Sequence, residues 1–99
     1  MERIFNIQMM VPLGRRIGTL SFKTSGGQDI DGTLSLFQNE TPFKGKLTSA
    51  GEIIFSGWMI TLTRSFPYQA LGRVDGTKLK LEVVGEDRNF TISGEEADL

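Results

Sequence analysis

Thr61, Thr63, Arg64 and Tyr68 place hydroxyls, a fixed positive charge and a phenol ring in one short stretch. Such a set suits a small acidic ligand. The guanidinium and hydroxyls donate hydrogen bonds to a carboxylate, and an aromatic ring covers the apolar part. Phe55 and Met59, a few residues upstream, supply an apolar wall. The expected ligand-binding set is therefore Phe55, Met59, Thr61, Arg64 and Tyr68, and its expected ligand is small and either apolar or acidic. The plainer reading of the same residues is a polar strand end beside a core.

Other chemistries find little support. The chain has no cysteine and no histidine. That excludes disulfides, thiolate chemistry, Cys/His zinc sites and His-based triads. The carboxylates are scattered: Asp29 and Asp31 share one strand face, and Glu86 and Asp87 adjoin in a turn, neither pair with calcium-loop spacing. No serine lies in a nucleophile elbow. Gly26-Gly27 lacks the lysine-serine pair and the following helix of a phosphate loop. No cofactor or metal is expected, and the chain reads as a non-enzyme.

The net charge of -1 gives no electrostatic reason for nucleic-acid binding, and the Arg15-Arg16 pair is too short to supply one. No apolar run approaches the roughly 18 residues that cross a bilayer. The first residues alternate polar with apolar, unlike a signal peptide, so a cytoplasmic protein is expected.

The elements that must position these residues follow from one repeated pattern. In Phe43-Lys44-Gly45-Lys46-Leu47 and Phe55-Ser56-Gly57-Trp58-Met59, a bulky residue, a glycine and another apolar residue fall on one strand face. Ile30-Asp31-Gly32-Thr33-Leu34 and Ala70-Leu71-Gly72-Arg73-Val74 repeat it, and Gly18 and Gly94 sit in shorter versions. Eight strands follow: Arg3–Val11, Arg15–Lys23, Asp29–Gln38, Pro42–Thr48, Glu52–Thr63, Tyr68–Val74, Thr77–Val84 and Arg88–Ser93. Turns are expected at Pro12-Leu13-Gly14, Ser25-Gly26-Gly27, Asn39-Glu40, Ser49-Ala50-Gly51, Arg64 to Pro67, Asp75-Gly76 and Gly85-Glu86-Asp87. No segment has helical periodicity.

Connections this short pair consecutive strands antiparallel, and pairing the first strand with the last removes both open edges. The expected fold is all-β: an eight-stranded antiparallel up-and-down meander closed into a small barrel, with a β-sandwich as the alternative. One domain spans residues 3–94, and residues 95–99 form an acidic flexible tail. Inward glycines have two readings. They let coiled strands bend so that a small barrel closes, or they leave room for a ligand.

The layout of short glycine-containing strands from Arg3 to Ser93 resembles the calycin group of barrels, which includes the lipocalins and avidins. That resemblance implies a closed barrel carrying a small ligand inside, and it transfers no binding residue. Strand five adds a separate feature. Ile54, Trp58, Ile60 and Leu62 occupy its outward parity, making an apolar stripe of the kind that marks subunit contacts. A homodimer joined through strand five is expected, unless a bulge at Gly57 turns these residues inward.

Overall fold

The computed structural model describes residues 2–11, 14–24, 27–61, 64–86 and 88–97. Its strands are β1 (Glu2–Val11), β2 (Gly14–Thr24), β3 (Asp29–Leu36), β4 (Asn39–Leu47), β5 (Glu52–Ile60), β6 (Ser65–Asp75), β7 (Lys78–Val84) and β8 (Asn89–Glu96). They form one closed antiparallel barrel in sequence order. β1 pairs with β8 from Phe5↔Glu96 to Met9↔Ile92, so the meander closes as expected and the sandwich is set aside. Among the described residues no helix is long and apolar enough to cross a membrane.

Closure is clipped at one end by Arg3. Its Nε and Nη2 donate to the two carboxylate oxygens of Glu96 at 3.0 and 2.8 Å, and Nη2 also donates to the Gly76 carbonyl at 2.8 Å. A main-chain bond extends the seam, Ala97 N–H donating to Ile4 O, and on the other side Glu96 N–H donates to Thr77 O beside β7. Glu95 and Glu96, expected in the acidic tail, are thus the last residues of β8.

The interior follows the period-two pattern. Phe5, Ile7, Met9, Leu20, Phe22, Ile30, Leu34, Phe43, Ile53, Phe55, Met59, Leu79, Leu81 and Ile92 are all buried. The glycines sit in register opposite bulky residues on both neighbouring strands. Gly32 lies between Phe22 and Phe43, Gly45 between Ile30 and Phe55, and Gly72 between Ile53 and Leu81. A Cβ at Gly32 would meet the Phe43 ring, and one at Gly45 would meet the main chain of Phe55. The space left by each missing side chain is therefore occupied by a neighbour, which supports the closure reading of the glycines. This is the cross-strand cover of a strand glycine by an aromatic ring.

Several boundaries differ from the sequence expectation, and these shift inner residues or turns. β4 begins at Asn39, because the β3–β4 hairpin turns at Phe37-Gln38, both with positive φ (54° and 63°). The β6–β7 turn falls at Gly76-Thr77 rather than Asp75-Gly76. Asp75 pairs with Lys78, and only the glycine has positive φ, as in a II′ turn. β5 ends at Ile60, and β6 starts at Ser65, so Phe66, expected in a connection, is a buried inner residue. Thr41 is also buried on the inner face of β4. The expectations for the side chain of Val11, and for Pro12, Leu13, Ser25, Gly26, Leu62, Thr63, Asp87, Asp98 and Leu99, lie outside the described residues.

Candidate functional site

The expected ligand set lies on β5, β6 and the turn between them, and the structure divides it. Phe55 and Met59 on β5 and Tyr68 on β6 point inward and are buried. Phe55 stacks on Phe43 with ring centroids 4.1 Å apart and meets the Tyr68 ring edge-on at 6.1 Å. Such ring pairs stabilise a core beyond their buried area. The Tyr68 hydroxyl is buried and has no hydrogen-bond partner among the described residues. Burial pushes its phenol well above the usual tyrosine range.

Thr61 and Arg64 stand apart, at the β5–β6 turn. Thr61 N–H donates to Arg64 O at 2.8 Å, and Arg64 N–H donates to Thr61 Oγ1 at 3.2 Å. The Arg64 guanidinium lies 3.6 Å from the Glu86 carboxylate and over the Phe66 ring at 5.7 Å. Its charge is directed at the rim, where Glu86 already answers it. Three members of the set are thus core residues and two belong to a turn.

The outer face of β5 holds the expected parity through Gly57. Ile54, Trp58 and Ile60 are exposed, Trp58 by 57%. The neighbouring strand extends the patch, since Ile54 pairs with Leu71 and Trp58 with Pro67, both exposed. Polar residues border and divide it: Lys46 lies opposite Ile54, Glu82 opposite Leu71, and the exposed Ser56–Gln69 pair stands between the two apolar pairs. The paired register between β4 and β5 ends at Phe43↔Gly57, while β5 continues to Ile60 against β6. Trp58 to Ile60 therefore extend past the β4 ladder, where Pro42 offers no N–H. Leu71 was legible in advance from the parity of Ala70 and Gly72; Pro67 was hidden in an expected connection.

A third feature has no counterpart in the sequence reading. An open groove of about 810 Å³ runs over the outside of β6, β7, β8 and β1. Four cations line it, Arg15, Arg73, Lys78 and Lys80, against the carboxylates of Asp75 and Glu95. Its residues are drawn from both ends of the chain and meet only because β1 closes on β8. Among the described residues no group of three metal-ligating side chains converges. Set against family models, curated proteins and solved structures, the chain matches none.

Proposed function

We propose that this barrel is an interaction module that docks through the outer face of β5 and β6 on a second copy of the chain. The observation that carries this reading is the set of exposed apolar side chains on one face, Trp58, Pro67 and Ile60 on one side of the polar Ser56–Gln69 pair and Ile54 and Leu71 on the other. Exposed apolar side chains anchored by a tryptophan and set among polar residues are what a docking surface uses. The end of the β4 ladder supports it, because a partner strand could add to β5 beside Trp58. The test is sedimentation of the wild type and of Trp58→Lys, with circular dichroism to confirm that the fold is kept. A dimer for the wild type and a monomer for the variant are expected. A wild type that stays monomeric well above micromolar concentration removes the proposal.

A second reading keeps the calycin-like carrier, with a small apolar or acidic ligand inside the barrel. One atom favours it, the buried Tyr68 hydroxyl, which has no partner among the described residues. Its check is titration with medium-chain fatty acids, followed by thermal melting of the wild type and of Tyr68→Phe. Unchanged melting of the wild type dismisses the carrier. The lack of cysteine supports a reducing cytoplasm as the compartment for either reading.

A further inference from the structure

We infer that the groove over β6, β7, β8 and β1 binds a phosphate monoester, with the phosphate held between Arg73 and Lys80. The argument begins with a like-charge pair. Arg73 and Lys80 are directly opposite in the β6–β7 ladder, and both point outward. Directly opposed side chains have Cβ atoms about 4.5–5.5 Å apart, and like charges there are destabilising. Among the described residues the ion pairs are Arg3–Glu96, Lys44–Asp31, Arg64–Glu86 and Lys78–Glu95, and neither Arg73 nor Lys80 is in one. Glu52, opposite Arg73 on its other side, makes no ion pair with it. Among the described residues the side chain of Arg73 makes one hydrogen bond, from Nη1 to the Ala50 carbonyl at 3.2 Å, which leaves the rest of its donor fork unused there.

The groove supplies what an anion between them needs. Lys78 is matched by Glu95 at 3.0 Å, so Arg15, Arg73 and Lys80 face the single remaining carboxylate of Asp75. The lining itself has an excess of two positive charges, which Glu52, outside the groove and opposite Arg73, offsets in part. A phosphate monoester carries about -1.5 to -2 at neutral pH, and its oxygens match an arginine fork.

The next row member is Ser93, opposite Lys80, and beyond it Gln8. Arg15 donates to Gln8 Oε1 at 3.3 Å, which turns the amide nitrogen toward Ser93. Gln8 Nε2 then donates to Ser93 Oγ at 3.3 Å. With its oxygen accepting from Gln8, the Ser93 hydroxyl has its proton to give, and an anion beside Lys80 would take it. Ile17, opposite Gln8 and 72% exposed, ends the row and offers an apolar contact to the organic group of the ester. The volume of about 810 Å³ is within the range of small-molecule sites.

The experiment is a titration of the labelled full chain with inorganic phosphate, phenyl phosphate and succinate at constant ionic strength, read by amide chemical shifts. Saturable shifts at Arg73, Lys80 and Ser93 are expected with phosphate. Phenyl phosphate should bind more tightly and carry the shifts to Ile17. Arg73→Gln and Lys80→Gln should each weaken binding by roughly tenfold, the loss of one charge-assisted hydrogen bond. Lys80→Gln makes no main-chain bond to disturb, so it guards against a mere folding defect at Arg73. Shifts that do not saturate, equal response to succinate, or unchanged affinity in both variants would each overturn the inference.

Discussion

Replacing Gly72 by alanine tests whether the inward glycines exist to let strands close on each other. Gly72 lies on the inner face of β6, between Ile53 and Leu81. Its φ is not among the positive values, so alanine can adopt the same backbone. In an ordinary strand that exchange would stabilise by about 0.5–1 kcal/mol. Here a Cβ would strike the Lys80 carbonyl oxygen and stand 2.9 Å from Leu81 Cα. These are main-chain atoms, held on their far side by the β7–β8 ladder, and cannot swing away as a side chain would. Overpacking of this kind costs about 1–3 kcal/mol, and a displaced carbonyl weakens a ladder bond worth about 1 kcal/mol. The collision outweighs the propensity gain, and we expect a net loss of about 2 kcal/mol. For a domain of this size that lowers the melting temperature by about 8–16 °C. Urea denaturation followed by circular dichroism gives the free energy directly. Gly57→Ala is the internal comparison: its nearest neighbours are Pro42 O at 2.7 Å and then Phe43 Cβ and the Tyr68 hydroxyl, each at 3.3 Å, so the collision is milder and its loss should be smaller. A Gly72→Ala protein as stable as the wild type would refute the close approach of β6 and β7 and the role given to the glycines.

Further outcomes follow from single residues. Gln38 is exposed and has φ 63°, in a conformation that costs a non-glycine residue about 1–2 kcal/mol. Gln38→Gly should therefore raise the denaturation midpoint by the equivalent of about 1 kcal/mol, and a lowered midpoint would contradict the strained turn. Tyr68→Phe removes a buried hydroxyl that has no partner among the described residues, so stability should hold or rise by up to about 1 kcal/mol. The same residue predicts alkaline behaviour. The unfolded phenol ionises near 10.0, while burial keeps the folded one neutral, so Tyr68's share of stability is intact below that pH and falls above it. Tyr68 is the sole tyrosine, and melting curves of Tyr68→Phe should lack this component. At the acid end, hydrogen bonds from Arg3 hold the Glu96 carboxyl below its usual value of 4.5. The clip's contribution is present above that pH and lost as pH falls through the lowered value. Glu96→Gln should melt with a flatter pH dependence between neutrality and acid; identical slopes would show that the clip is not coupled to folding.

The barrel was legible because one side of its sheet is dry. With side chains alternating along each strand, the glycines and phenylalanines shared a face, and that face had to be the interior. Trp58 and Ile54 were placed outside by the same parity. The misread residues sit where a local turn signal competed with strand pairing. Asn39-Glu40 has turn chemistry, yet the chain turns at Phe37-Gln38 so that Thr41 and Phe43 stay on the inner face opposite Leu34 and Gly32. Asp75-Gly76 has hairpin chemistry, but the ladder that sets Val74 against Leu79 moves the turn one residue on. Phe66 was lost because Pro67 reads as a break, although its side chain lies outward, opposite Trp58.

The groove could not be read in this way, since its cations come together only across the closed seam and across a register. That register also explains why two cations face each other. Gly72↔Leu81 and Arg73↔Lys80 are consecutive rungs of one ladder. A slip of one residue would separate the charges, but it would also turn Leu79, Leu81 and Val83 to solvent, at about 1.5–3 kcal/mol for each large apolar side chain. Repulsion between exposed charges is far weaker than that. The packing of the interior therefore dictates the charge pattern outside. The glycine that lets β6 approach β7 and the cation pair proposed to hold phosphate are two faces of the same constraint.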